Sequence, residues 1–121
     1  MTYPRTPWVI TGIMQADVHR WEQRQPWAGD PPAIVALGLG EEAGEVQRAV
    51  LKMHQGIRGT KEEWIEEARK ECGDVFIKLC AVASSLGFDL GQAITERWEI
   101  VRERDWTANK IGHGIEGQPT A

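Results

Sequence analysis

The stretch "GEEAGEVQRAV", Gly40–Val50, places three carboxylates and two glycines inside apolar spacing that belongs to a helix. Leu39, Val46, Ala49, Val50 and Met53 recur around it at steps of three and four residues, the period of one helix face. A glycine inside a helix is about 1 kcal/mol less favourable than alanine, and acids one turn apart repel each other. A demand other than helix stability is therefore written into this segment. It returns in "ECGDVFIKL", Glu71–Leu79. Glu42–Val46 and Glu71–Val75 both read acid, any residue, glycine, acid, valine.

Outward from these two stretches the chain reads as helices. The spacing predicts one helix over Ala33–His54, ended by the glycines of "HQGIRGT". A second spans Lys61–Leu86, with Thr60 as N-cap, Glu62 and Glu63 in the first turn and Gly87 at the end. Upstream, a helix over Thr11–Arg24 with Thr11 as its N-cap is broken by "QPWAGDPP", Gln25–Pro32. Downstream, a helix over Leu90–Trp106 is capped by Asp89. No sustained apolar–polar alternation marks a strand. The expected fold is all-α, a bundle of four to five helices over residues 1–110, with a flexible tail over 111–121. Broad apolar stripes and six tryptophans in so short a chain predict burial against a second copy.

Bulk composition narrows the function. The 121 residues suit one domain, and 41% hydrophobic with 26% charged residues is ordinary for a soluble chain. No run approaches the roughly 20 apolar residues of a membrane span, and "MTYPRTPWVI" lacks the form of a secretory signal. A cytoplasmic protein without membrane contact is the expectation. With 14 basic against 18 acidic residues, the net charge of −4 argues against a nucleic-acid polymer as partner. Cys72 and Cys80 lie about 12 Å apart along one helix, too far for a disulfide, and read as two small buried residues.

The acids lie where solvated charges do not. Glu42 is three residues after Leu39 and four before Val46; Glu71 is three after Ala68 and four before Val75. Both sit on the apolar stripe, and Glu45 and Asp74 flank it. Inward carboxylates without partners take up protons; a bound cation removes that need. Four carboxylates from two helices make an oxygen-only site suited to Mg²⁺, with Mn²⁺ as substitute. A di-iron bundle would need histidine three residues after a helical glutamate, and none of His19, His54 or His113 meets that condition. Glu62, Glu63, Glu66 and Glu67 fit a solvated face.

These residues resemble the MazG-like group of all-α nucleoside triphosphate pyrophosphohydrolases. The group's signature, EExxE followed by ExxD, is matched by Glu41, Glu42 and Glu45, then Glu71 and Asp74. The resemblance covers about residues 17–106. It implies Mg²⁺ ligation by Glu42, Glu45, Glu71 and Asp74, and hydrolysis of a (deoxy)nucleoside triphosphate to monophosphate and pyrophosphate, in cleaning or control of the nucleotide pool. Glu41 and Glu45 are the expected catalytic acids, with Glu41 an outer or second-metal ligand or the group that orients water. Lys78, four residues after Asp74, shares its face and is a candidate phosphate contact, as are Arg97, Arg102 and Arg104. Relatives carry KxxxNxxR in the last helix; here Val101 stands at the asparagine position, and Lys78 stands where some carry an aromatic residue. His19 and Trp27 fall at the spacing of base-pocket residues in pyrimidine-specific relatives, and also suit packing under the proline-rich loop. The resemblance further implies a homodimer or homotetramer. The alternative is a helical module of the same fold that senses nucleotides or binds a protein without hydrolysis.

Overall fold

The computed structural model describes residues 7–107. Within them the chain forms α1 (Pro7–Glu22), α2 (Pro32–Gln55), α3 (Lys61–Leu86) and α4 (Leu90–Val101), with no strand. The expected all-α architecture is thus observed with four helices. The proposed tail over 111–121 lies outside the described residues.

Local chemistry explains the best-defined ends. Thr60 Oγ1 accepts from the Glu63 backbone N–H, and the Glu63 carboxylate accepts from the Thr60 N–H, a capping box that starts α3 at Lys61. Gly56 and Gly87 adopt positive φ (68° and 78°) and end α2 and α3, each returning its N–H to carbonyls of the last turn. Asp89 caps α4 through the Gln92 N–H.

Two helix ends differ from the sequence reading by more than two residues. Thr11 is not an N-cap; it is buried within α1, which already includes Pro7, a residue whose missing N–H suits a first helical turn. The last helix ends at Val101 rather than Trp106. Glu103 and Arg104 donate their N–H groups to the carbonyls of Ile100 and Val101, so the chain tightens into three-residue turns.

α3 is the axis of the molecule. α2 packs along it, and α1 and α4 lie against it and against each other. Among the described residues α2 touches no helix but α3. The core forms where α1, α3 and α4 meet: Cys80, Ala83 and Leu90, surrounded by Val18, Phe76, Leu79 and Ile94. Cys80 is fully buried as expected, and burial pushes its thiol pKa up; Cys72, expected to be buried, is exposed.

Gln15 fastens the corner between α3 and α4. Its amide donates to the Phe88 carbonyl (3.0 Å) and to Ser84 Oγ (3.3 Å), and its Oε1 accepts from the Leu90 N–H (2.8 Å). Gln15→Ala leaves these groups without their partner in a half-buried place. It is expected to destabilise the fold by about 1–3 kcal/mol in urea unfolding.

Candidate functional site

The α2–α3 hairpin brings residues together in a simple register. The two helices run antiparallel, so positions descending α2 meet positions ascending α3. Glu42 meets Glu71 and Asp74. One turn along, Gly38 meets Lys78. One turn further, Val35 and Ala81 line the same cavity. Val35, Gly38 and Glu42 are spaced by three and four residues, as are Asp74, Lys78 and Ala81, so the series follows one groove about 10 Å long.

At one end, Glu42, Glu71 and Asp74 each present a carboxylate oxygen, all within 4.8 Å of one another. Glu42 and Glu71 are half-buried and Asp74 is exposed. Loss of hydration pushes the Glu71 pKa up to about 7 from the usual 4.5; a hydrogen bond with Glu67 and the charges of Asp74, Glu42 and Glu67 add to the rise. Oxygens on one Mg²⁺, each about 2.1 Å from the ion, are at most about 4.2 Å apart. Closing the set around an ion therefore needs only small side-chain movements. The oxygen-only donors and the raised Glu71 pKa fit a divalent cation. Glu45 and Glu41 are exposed on α2 and fall outside this three-residue set.

The two repeated glycines do not serve close packing of α2 on α3. A Cβ added at Gly44 or Gly73 would meet nothing within 4 Å. The close approach occurs at Gly38, where an added Cβ would lie 3.4–3.5 Å from Cε, Cδ and Nζ of Lys78. Gly38 thus leaves α2 flat where the lysine stem crosses it. In the isolated chain, Gly44→Ala and Gly73→Ala are each expected to stabilise by about 1 kcal/mol. That should appear as a melting temperature a few degrees higher.

At the other end of the groove is a cavity of about 190 Å³ between α1, the loop after it, α2 and α3. His19 and Trp27 both line it, with Glu22, Asp30, Ser84 and Ser85 among the other walls. The indole N–H of Trp27 donates to Glu22 Oε2, and the Trp21 ring meets the Trp27 ring edge-on at 5.8 Å. Gly29, with φ of 90°, turns the loop here. Sequence reasoning found His19 and Trp27 but missed Glu22, Asp30 and Gly38, whose roles depend on chain reversal rather than on a motif.

The remaining cationic candidates lie elsewhere. Arg97 and Arg102 are exposed, and Arg104 sits in the turn after α4 with its Nε buried and unpartnered. Among the described residues α4 makes no contact with α2, so no contact observed within one chain brings these arginines to the acid set.

The fold and the acids define a class: an all-α domain with a carboxylate-only candidate cation site between two antiparallel helices. The chain belongs to the MazG nucleotide pyrophosphohydrolase domain family, whose model matches residues 32–107. No curated protein and no solved structure matches the chain significantly.

Proposed function

We propose that this chain is a Mg²⁺-dependent pyrophosphohydrolase that converts a (deoxy)nucleoside triphosphate and water to the monophosphate and pyrophosphate, in sanitation or control of the nucleotide pool. The observation that carries the reading is the convergence of Glu42, Glu71 and Asp74 at one level of the α2–α3 hairpin. The order along the groove supports it: carboxylates, then the Lys78 ammonium, then a cavity with an aromatic wall.

Each part has a role in this reading. Glu42, Glu71 and Asp74, joined by Glu45 as a fourth ligand, hold Mg²⁺ or Mn²⁺. When bound, the cation neutralises phosphate charge and lowers the pKa of a coordinated water. Lys78 contacts phosphate oxygens between the acids and the cavity. Water attacks the α-phosphorus, the bond to the bridging oxygen breaks, and pyrophosphate leaves with that electron pair. Glu41 or Glu45, the exposed carboxylates beside Glu42, accepts the proton of the water. His19 and Trp27 hold the base, Trp27 by stacking. Arg97 and Arg104 reach phosphates only if a second chain brings them there.

A second chain also suits the surface of α2. Ile34, Leu37, Val50 and Leu51 are exposed large apolar residues on a helix that, among the described residues, packs on α3 alone, and Leu37 is 70% exposed. A homodimer or homotetramer is therefore part of the proposal, and sedimentation equilibrium reads it directly. No helix among the described residues is long and apolar enough to cross a membrane.

The activity is tested with a panel of nucleoside and deoxynucleoside triphosphates, Mg²⁺ or Mn²⁺, and inorganic pyrophosphatase to release phosphate for colorimetric detection. Turnover of at least one nucleotide, lost with a chelator, supports the reading. Calorimetric binding of an intact, uncleaved triphosphate would assign a sensor instead.

A further inference from the structure

We infer that Glu22 is a positioning residue that fixes the Trp27 indole as the wall of the groove's cavity. The inference rests on the reading that this cavity holds the nucleotide base.

Trp27 lies in a loop between two helices, and 41% of its surface is exposed. An exposed aromatic ring on a loop samples several rotamers, and ordering it on binding weakens affinity. Two contacts restrict this ring. Glu22, near the C-terminal end of α1, accepts the indole N–H at Oε2, and Trp21 abuts the ring edge at 5.8 Å. Only the Glu22 contact is directional. It sets rotation about the bond that carries the ring, and so the plane offered to the cavity that both residues line. The backbone supports the same placement, because the Asp30 N–H donates to the Trp27 carbonyl (3.0 Å) and the Ala28 N–H to the Gln25 carbonyl (3.0 Å). A carboxylate is well chosen for this task, since a charge-assisted acceptor holds a neutral N–H more firmly than an amide does.

The position of Glu22 separates it from the acids that hold the cation. It stands on α1, whereas Glu42, Glu71 and Asp74 stand on α2 and α3. Its loss should weaken binding of the base while leaving the chemical step in place.

The test is a double-mutant cycle read by calorimetry and by steady-state kinetics. The probe is the α,β-methylene analogue of the best-turned-over triphosphate, with Mg²⁺. Glu22→Ala should weaken binding roughly three- to tenfold, the worth of one hydrogen bond, and raise KM with kcat nearly unchanged. Glu22→Gln, which keeps an acceptor oxygen at the same reach, should restore most of the affinity. In a Trp27→Phe background, which keeps an aromatic face but has no N–H, Glu22→Ala should have no further effect. Full affinity in Glu22→Ala, with weakened binding in Trp27→Ala, would overturn the inference and leave the base cavity standing. An undiminished Glu22→Ala effect in the Trp27→Phe background would also overturn it, by placing Glu22 on the ligand itself. Unchanged binding in Trp27→Ala would remove the base-cavity reading and the inference together.

Discussion

Glu42→Gln and Asp74→Asn are each expected to lower kcat/KM by at least about a hundredfold while the protein stays folded. Each change removes one charge from the three-carboxylate set at nearly constant volume. Loss of a group that merely supports a metal ligand already lowers affinity or activity 10- to 100-fold, so loss of a ligand should exceed that range. The fold should not suffer, because no hydrogen bond or ion pair of either carboxylate is part of the observed packing, and like-charge repulsion falls. Circular dichroism and melting temperature measured without metal separate the two effects. Near-normal turnover in both variants would remove these residues from the site. Raising Mg²⁺ to tens of millimolar should rescue part of the loss, as expected for weakened cation binding rather than a lost proton acceptor.

The second large effect concerns pH and comes from Glu71. In the metal-free fold, loss of hydration pushes its carboxyl up to about 7, from the usual 4.5 of a free side chain. Between these values the folded chain binds a proton that the unfolded chain does not. Stability contributed by this group is therefore full below about pH 4.5 and falls as pH rises through 7. The difference in melting temperature between wild type and Glu71→Gln isolates this contribution from that of other titrating groups. Without metal, Glu71→Gln should gain stability relative to wild type as pH rises from 5 to 8. Mg²⁺ competes with the proton, so its stabilisation of the wild type should be large at pH 8 and shrink steeply below 7. The variant should show little Mg²⁺ stabilisation at either pH. An equal Mg²⁺ shift in the two proteins would place the cation elsewhere.

The sequence was most informative where local chemistry decides the structure. Lys61–Leu86 was legible to the residue because Thr60, Glu63 and Gly87 specify both ends without help from distant contacts. The convergence of the acids was legible because helical period alone puts Glu42 and Glu71 on the apolar stripe of their helices and Asp74 at its edge. The errors came where periodicity continues past the real boundary. Trp98, Val101 and the residues up to Trp106 suit a helix, yet the backbone tightens into short turns after Val101. Thr11 resembles a cap but is covered within α1. Packing between distant segments left no local signal. The repeated Gly44 and Gly73 mark no close approach, whereas the lysine stem crosses at Gly38. That meeting follows from the antiparallel register, which becomes visible only once the hairpin is closed.

The groove also divides by position along the chain. Glu42, Lys78, Glu71 and Asp74 all lie within the stretch 32–107 that matches the family, whereas His19, Glu22 and Trp27 precede it. One part of the groove thus lies inside the matched stretch and the other is walled by residues that precede it, joined at Val35 and Ala81. Changes upstream of residue 32 can then alter the cavity without touching Glu42, Glu71 or Asp74. Exchanging residues 7–31 as one block would replace His19, Glu22 and Trp27 and leave Glu42, Glu71 and Asp74 as they are.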